Sequence, residues 1–324
     1  MLWGIDPGEA LGSLEGVRWW LAAPMTAFYL AAHTLRTVRL RALLDRPVPF
    51  GPLFSINSIG YLAINVVPLR LGEFVRPYLL MERQGVPFGA SMAAIFVERL
   101  VDILCLLALL AGVTWLVELP PQGVVVGDVD VVTAGQRLLG VVVVGGAAFI
   151  AALMAFGAPV IRLVERLVPV EAVSSRLGAF LWAFHDGLRQ LVRQPVRATV
   201  VLVWSVLIWG LTIGAVWCVL LAFDGVPHSL QAAATTWTIT ITGMTVAPTP
   251  GFFGSYEAFC LASLMLWEVG RDLGGTFSVI MHLGQFGFTV VLGGAFLVME
   301  GLSLREVVEA SRQRALRTPL EPRA

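Results

Sequence analysis

The chain has 324 residues, 57% hydrophobic and only 14% charged, with no net charge. A soluble domain carries about 25% charged residues, so this composition excludes a water-coated globular protein, and the mean hydropathy of +0.81 places the chain in lipid. Zero net charge argues against nucleic acid as a partner. Every basic residue is Arg, which reflects base composition rather than function. The apolar runs lack the alternation of a membrane barrel, so helices are expected to do the spanning. The fold class is therefore all-α: a polytopic helical bundle forming a single transmembrane domain over 1–324.

A spanning helix needs about 20 mostly apolar residues. In chain order, segments 19–44, 93–117, 138–158, 196–223 and 277–299 meet that length. Residues 1–16 lack the basic start and apolar core of a cleavable signal. Two apolar stretches are too short. Residues 53–67 end at Pro68 and are followed by 74–81; residues 232–247 end at Pro248-Thr-Pro-Gly251 and are followed by 255–269. Short apolar pieces interrupted by Pro and Gly predict re-entrant or broken helical hairpins. Each hairpin follows a Val-Pro (Val48-Pro49, Val226-Pro227), and each break carries Pro-x-x-x-Gly, at Pro68–Gly72 and Pro250–Gly254. The half-chain spacing predicts an inverted repeat, with one copy over about 17–118 and the other over about 196–300.

Arginine placement sets the expected orientation. Arg36, Arg39, Arg41 and Arg46 end the first span; Arg162, Arg166, Arg176, Arg189, Arg193 and Arg197 fill the middle; Arg305, Arg312, Arg314, Arg317 and Arg323 lie in the tail. All three regions are expected on the cytoplasmic side of the inner membrane. The loop with Glu118, Asp128 and Asp130 is expected outside. The first hairpin then opens to the cytoplasm and the second to the outside. Segment 160–195 contains a helical stripe (Leu177, Phe180, Leu181, Phe184, Leu188, Leu191) with Arg176, Asp186, Arg189 and Arg193 mostly opposite, which suits a helix lying on headgroups. Ser303 and Glu306 form a capping box that opens a helix in the 301–324 tail.

The densest chemical signal lies between the pieces of the first hairpin. Arg70, Glu73 and Arg76 follow Asn65 at three-residue spacing, which a helix presents on one face. Ionisable groups at membrane depth are costly and usually face a bundle interior or a wet cavity. Gly72 and Pro77 suggest a helix start near Glu73, whose free N–H groups and dipole would join the arginines in holding a phosphate. The structural alternative is an ion-pair cluster that locks the hairpin. Glu98, Arg99 and Asp102 follow on the next span, where Arg99 is within reach of Asp102. Together the two motifs carry three positive and three negative charges. In the second hairpin Ser255 is expected as an N-cap and Glu257 in the first turn, where a carboxylate is favoured; capping alone accounts for Glu257, and a substrate or proton role is the alternative.

The four histidines have no metal spacing, Cys105, Cys218 and Cys260 lie apart within apolar runs, and no phosphate-binding loop motif is present. No metal, cofactor or catalytic residue is expected, and the chain is not expected to be an enzyme.

At these motifs the chain resembles the transmembrane region of lysylphosphatidylglycerol synthases, a family of flippase-like membrane proteins. The resemblance rests on Leu35-Arg-Thr-Val-Arg-Leu-Arg-Ala-Leu-Leu44, Gly60-Tyr-Leu-Ala-Ile-Asn65 running into Pro68-Leu-Arg-Leu-Gly-Glu-Phe-Val-Arg76, Val97-Glu-Arg-Leu-Val-Asp102 and Gly254-Ser-Tyr-Glu-Ala258. It implies movement of a phospholipid or polyprenyl-linked lipid across the cytoplasmic membrane. It also implies a span before residue 19 and a cytosolic aminoacyl-transferring domain, both of which the chain is expected to lack. A lipid-modifying enzyme with Glu73, Glu98 or Asp102 as base, and a scaffold for a lipid-synthesis enzyme or glycosyltransferase, are the alternatives. A homo-oligomer is compatible with all three.

Overall fold

The computed structural model describes residues 14–44, 46–67, 72–116, 125–126, 129–169, 194–246 and 249–317, together with 8, 12, 174, 178, 181–182, 185–186, 189 and 193. The architecture is helical. After a short turn at Trp19–Leu21, the helices are α1 (Ala22–Leu43), α2 (Phe50–Val66), α3 (Val75–Gln84), α4 (Phe88–Leu116), α5 (Val131–Phe156), α6 (Ala158–Leu167), α7 (Pro195–Ala222), α8 (Leu230–Val246), α9 (Ser255–Met265), α10 (Arg271–Met299) and α11 (Leu304–Arg317). A two-residue ladder pairs Val125–Val126 with Val129–Asp130 before α5. The order long, 17-residue, short, 29-residue occurs twice, in α1–α4 and in α7–α10.

Helices α1 and α7 pack along each other and run antiparallel, because an arginine at the start of each reaches the end of the other. Arg18 donates to the Leu221 carbonyl at 3.0 Å and pairs with Asp224. Arg197 donates to the carbonyls of Ala42 and Leu43 at 3.0 and 2.5 Å. The last carbonyls of a helix have no partner within it, and a cation there also meets the negative end of the dipole.

Both expected hairpins are present as pairs of packed helices, α2 with α3 and α8 with α9. Pro cannot continue a helix, and α2 ends at Val66, just before Pro68. The chain resumes at Gly72, where a Cβ would collide with the backbone of Ala63 and Ile64; only glycine permits the returning strand to run against α2. The second break turns through Gly251 and Phe252, both at positive φ. The two breaks meet: the Cβ position of Gly251 lies 3.6 Å from the Asn65 carbonyl.

The apolar interior forms two main clusters. One joins the first half of α1 to the second hairpin, through Tyr29, Val216, Trp237, Tyr256, Leu264 and Phe277. The other joins the end of α1 to the first hairpin and the tail helix, through Leu40, Ile59, Leu79, Val97 and Val307. A smaller cluster of Leu100, Leu153, Ile161 and Leu181 sits under α5 and α6.

Helices α7 and α10 are long and apolar enough to cross a membrane. Of the other expected spans, α1 and α4 differ by carrying charges within their length: Arg36, Arg39 and Arg41, and Glu98, Arg99 and Asp102. Most of the expected stripe in 177–192 lies outside the described residues; Leu181 is buried, while Asp186, Arg189 and Arg193 are exposed. The tail helix starts at Leu304, directly after Ser303.

Candidate functional site

Helix α3 enters the bundle with Arg76 in its first turn, and this arginine is fully buried. Its stem lies on Gly60 of α2, where a Cβ would overlap the Arg76 Cγ. The guanidinium rests 5.1 Å from the ring centroid of Tyr61. Its Nη1 donates to Asn57 Oδ1 at 3.2 Å and to Glu98 Oε2 at 3.0 Å. The Nε and Nη2 donors are buried with no partner among the described residues.

Glu98, on α4, is 1% exposed and stands between two arginines. Its other oxygen is 3.5 Å from the Nε of Arg39, on α1. Arg39 is itself 1% exposed and forks onto both oxygens of Asp102, one turn along α4, at 2.6 and 3.1 Å. Its Nη1 also donates to Ser205 of α7 at 2.8 Å. On the far side Asn57 donates to Thr37 at 3.1 Å. One polar chain thus ties α1, α2, α3, α4 and α7. Planar arginine forks suit carboxylates in two-pronged contact, and removing one member would leave another charge buried and unpaired.

Around this core lie less buried charges. Arg36, on α1, stacks over Tyr61 at 5.5 Å from its centroid and forms no ion pair among the described residues. Arg99 is 39% exposed and reaches Asp102 only at 4.0 Å. Glu73 is half-buried and lies within electrostatic range of Arg99. Among the described residues, four arginines (Arg36, Arg39, Arg76, Arg99) therefore face three carboxylates (Glu73, Glu98, Asp102).

The second hairpin has its own buried polar group. Helix α9 starts at Ser255, so Gly254, not Ser255, holds the capping position. Glu257 accepts from the Gly254 N–H at 2.7 Å and closes the cap, as expected for a first-turn carboxylate. Its other oxygen lies 2.6 Å from Nδ1 of His282, on α10. The Nε2 of His282 lies 3.1 Å from the Gly251 carbonyl. Tyr256 stacks flat on the imidazole, with centroids 4.4 Å apart, and hydrogen-bonds Gln285.

The structure gathers Arg76, Glu98, Arg99 and Asp102 as the sequence suggests, with Glu73 at the edge. Arg70 lies outside the described residues. Of the expected trio only Glu73 and Arg76 are described: Glu73 sits in the turn before α3, and Arg76 pairs with Glu98. Asn65 uses its amide within its own helix, donating to the Tyr61 carbonyl at 2.8 Å. Asp102 pairs mainly with Arg39 rather than Arg99. Glu257 lies in the other hairpin. Sequence reasoning passed over Arg39, whose position on the stripe Met25, Tyr29, Ala32, Arg36, Arg39, Leu43 marks an inward face, and His282, for which metal-ligand spacing is no guide.

The chain matches the family described as Lysylphosphatidylglycerol synthase TM region over residues 1–293, nearly its whole length, and it is a membrane protein. Among curated proteins it is similar to the glycosyltransferase AglD of Haloferax volcanii, 25% identical over 95% of this chain and 53% of that protein. The chain thus spans about half the length of that relative. No solved structure matches it.

Proposed function

Because the chain belongs to the lysylphosphatidylglycerol synthase TM region family, we propose that it moves a phosphate-bearing lipid, a phospholipid or a polyprenyl-linked lipid, across the cytoplasmic membrane without chemistry of its own. The observation that carries this reading is the surplus of positive charge around Tyr61, where among the described residues four arginines face three carboxylates. An uncompensated cation inside a helical bundle is expensive, and an anionic headgroup passing through supplies the missing charge. Arg36 and Arg99 are the accessible members and receive the phosphate. Arg39 and Arg76, held by Glu98 and Asp102, keep them in place.

A hydrocarbon core about 30 Å thick is the barrier to the headgroup. The breaks of both hairpins put irregular backbone beside the site, where it is tolerated only next to protein or a wet cavity. The matching element lengths and the antiparallel α1 and α7 support an inverted repeat, with copies over about 17–118 and 196–300. In this arrangement the C-terminus is cytoplasmic.

Reconstitution into liposomes tests the reading. Purified protein should accelerate the transfer of fluorescent phosphatidylglycerol between leaflets, and Arg36→Gln with Arg99→Gln should abolish the gain while the fold persists. No acceleration of phosphatidylglycerol or of a polyprenyl phosphate would overturn it. A second reading, a scaffold for a glycosyltransferase, is favoured by the name of the Haloferax relative; it expects co-purification with such an enzyme and no transfer by the chain alone.

A further inference from the structure

The contacts of His282 impose a condition on protons. The Gly251 carbonyl can only accept, so Nε2 must carry a hydrogen to bond it at 3.1 Å. The contact between Nδ1 and Glu257 at 2.6 Å then needs one further proton, on the imidazole as an ion pair or on the carboxyl group as a neutral pair. If that proton leaves to solvent, a carboxylate and a neutral imidazole remain. Whichever nitrogen keeps its hydrogen, one of the two contacts now sets a nitrogen lone pair against an oxygen. Losing the proton therefore breaks a link between α10 and the second hairpin, for either tautomer.

What that link holds is strained. Phe252 sits at φ 62, a conformation that a residue with a side chain seldom adopts. Both partners are buried, Glu257 and His282 at 3% exposure each, under the ring of Phe253, which is 48% exposed and 4.7 Å from the imidazole. The titratable groups around the pair are few. Helix α9 brings Tyr256 and Cys260, α1 brings Tyr29, and α7 brings Cys218. Helix α2 carries Tyr61 alone, and α8 carries none. On α10 the nearest charges, Arg271 and Asp272, are about three turns away. No arginine pairs with Glu257 among the described residues, so the proton is the cation that balances it.

We propose that Glu257 and His282 form a proton-binding site whose loaded state latches the Pro250–Phe252 break to α10 and whose unloaded state frees it. Combined with the lipid reading above, on which this consequence alone rests, the site makes a proton gradient the driving force for movement.

Hydrogen–deuterium exchange on the full chain in lipid nanodiscs tests the latch without any transported lipid. Between about pH 5 and about pH 8, after correction for intrinsic exchange, protection of the 249–258 peptide should fall about tenfold, the loss of a charge-assisted hydrogen bond. Glu257→Gln should abolish this dependence and stay protected, because its amide donates to neutral Nδ1 while Nε2 still donates to Gly251. His282→Gln should abolish it too, since the amide does not titrate. Equal protection of the wild type across the range, or an unchanged pH profile in either variant, overturns the proposal. Should both variants misfold, nitrogen-15 spectra of histidine-labelled wild type decide: His282 must take up or release one proton, with its Glu257 partner, over the range in which protection changes. In liposomes, a titrating latch with no lipid transfer under an imposed pH gradient upholds the site and refutes the lipid reading.

Discussion

Arg39 donates through both terminal nitrogens to the two oxygens of Asp102, at 2.6 and 3.1 Å, and so fastens α1 to α4 well inside the bundle. Asp102 retains 23% exposure, so Asp102→Asn should cost less than a fully buried break, about 2–3 kcal/mol. Glu98 is 1% exposed and serves both Arg39 and Arg76. Glu98→Gln should cost more, about 3–5 kcal/mol. Thermal unfolding in detergent, compared for the two variants, checks the order; equal losses would mean that Glu98 does not bridge the two arginines.

Arg76 and Arg99 should separate structure from transport. Arg76→Lys replaces a planar guanidinium, whose Nη1 serves both Asn57 and Glu98 and whose face stacks on Tyr61, with a compact, strongly hydrated ammonium that loses the stacking. It should lower stability markedly. Arg99→Lys touches a side chain that is 39% exposed with one long ion pair, so stability should hold within about 0.5 kcal/mol. Lipid transfer should nevertheless fall about tenfold, because Lys offers phosphate one point charge in place of two parallel bonds. Transfer by Arg99→Lys at the normal rate removes Arg99 from the phosphate site.

Much of this arrangement is legible in the sequence. Pro68 and Gly72, and Pro250 and Gly254, mark both breaks because Pro ends helices and Gly permits the close approach at Gly72 and the positive φ at Gly254. Glu98, Arg99 and Asp102 stand out because charge is rare in an apolar run. Arg39 was hidden by its neighbours. Among Arg36, Arg41 and Arg46 it reads as one more interfacial cation, and only the inward spacing of Met25, Tyr29, Ala32, Arg36, Arg39 and Leu43 distinguishes it. His282 was hidden by distance. Its partner is 25 residues away on another helix, and no local pattern encodes a pairing that the packing of α9 on α10 creates.

The reciprocal clamps of α1 and α7 hold the two helices antiparallel, so a spanning α7 would put its two ends on opposite faces of the membrane. Arg18 and Asp224 share one end of that pair, and Arg197 shares the other with Ala42 and Leu43. Gln194 and Asp224 are both exposed. In whole cells, Asp224→Cys should react with a membrane-impermeant thiol reagent, and Gln194→Cys only after permeabilisation. Labelling of Gln194→Cys from outside would reverse the orientation. Labelling of both from one side would remove the spanning arrangement of α7.

Gly60 and Gly72 are both needed for close approach, yet their substitutions should behave differently. At Gly60 a Cβ meets the Cγ of Arg76, a side chain; at Gly72 it meets the backbone of Ala63 and Ile64. Gly60→Ala forces Arg76 away from Glu98 and should cost about 3 kcal/mol or more, combining overpacking with a weakened buried ion pair. Removing the obstacle should recover part of that loss. In Gly60→Ala/Arg76→Ala the new methyl group has room, so the double variant should be less destabilised than the sum of the two singles by about 1–3 kcal/mol. Gly72→Ala has no such partner, because α2 cannot move its backbone without displacing the hairpin. Its loss should be additive with Arg76→Ala within about 0.5 kcal/mol. The measurement is a double-mutant cycle of unfolding free energies for each glycine. Additivity at Gly60 would show that Arg76 does not lie on that glycine, and with it would go the route by which α2 positions the buried guanidinium against Glu98.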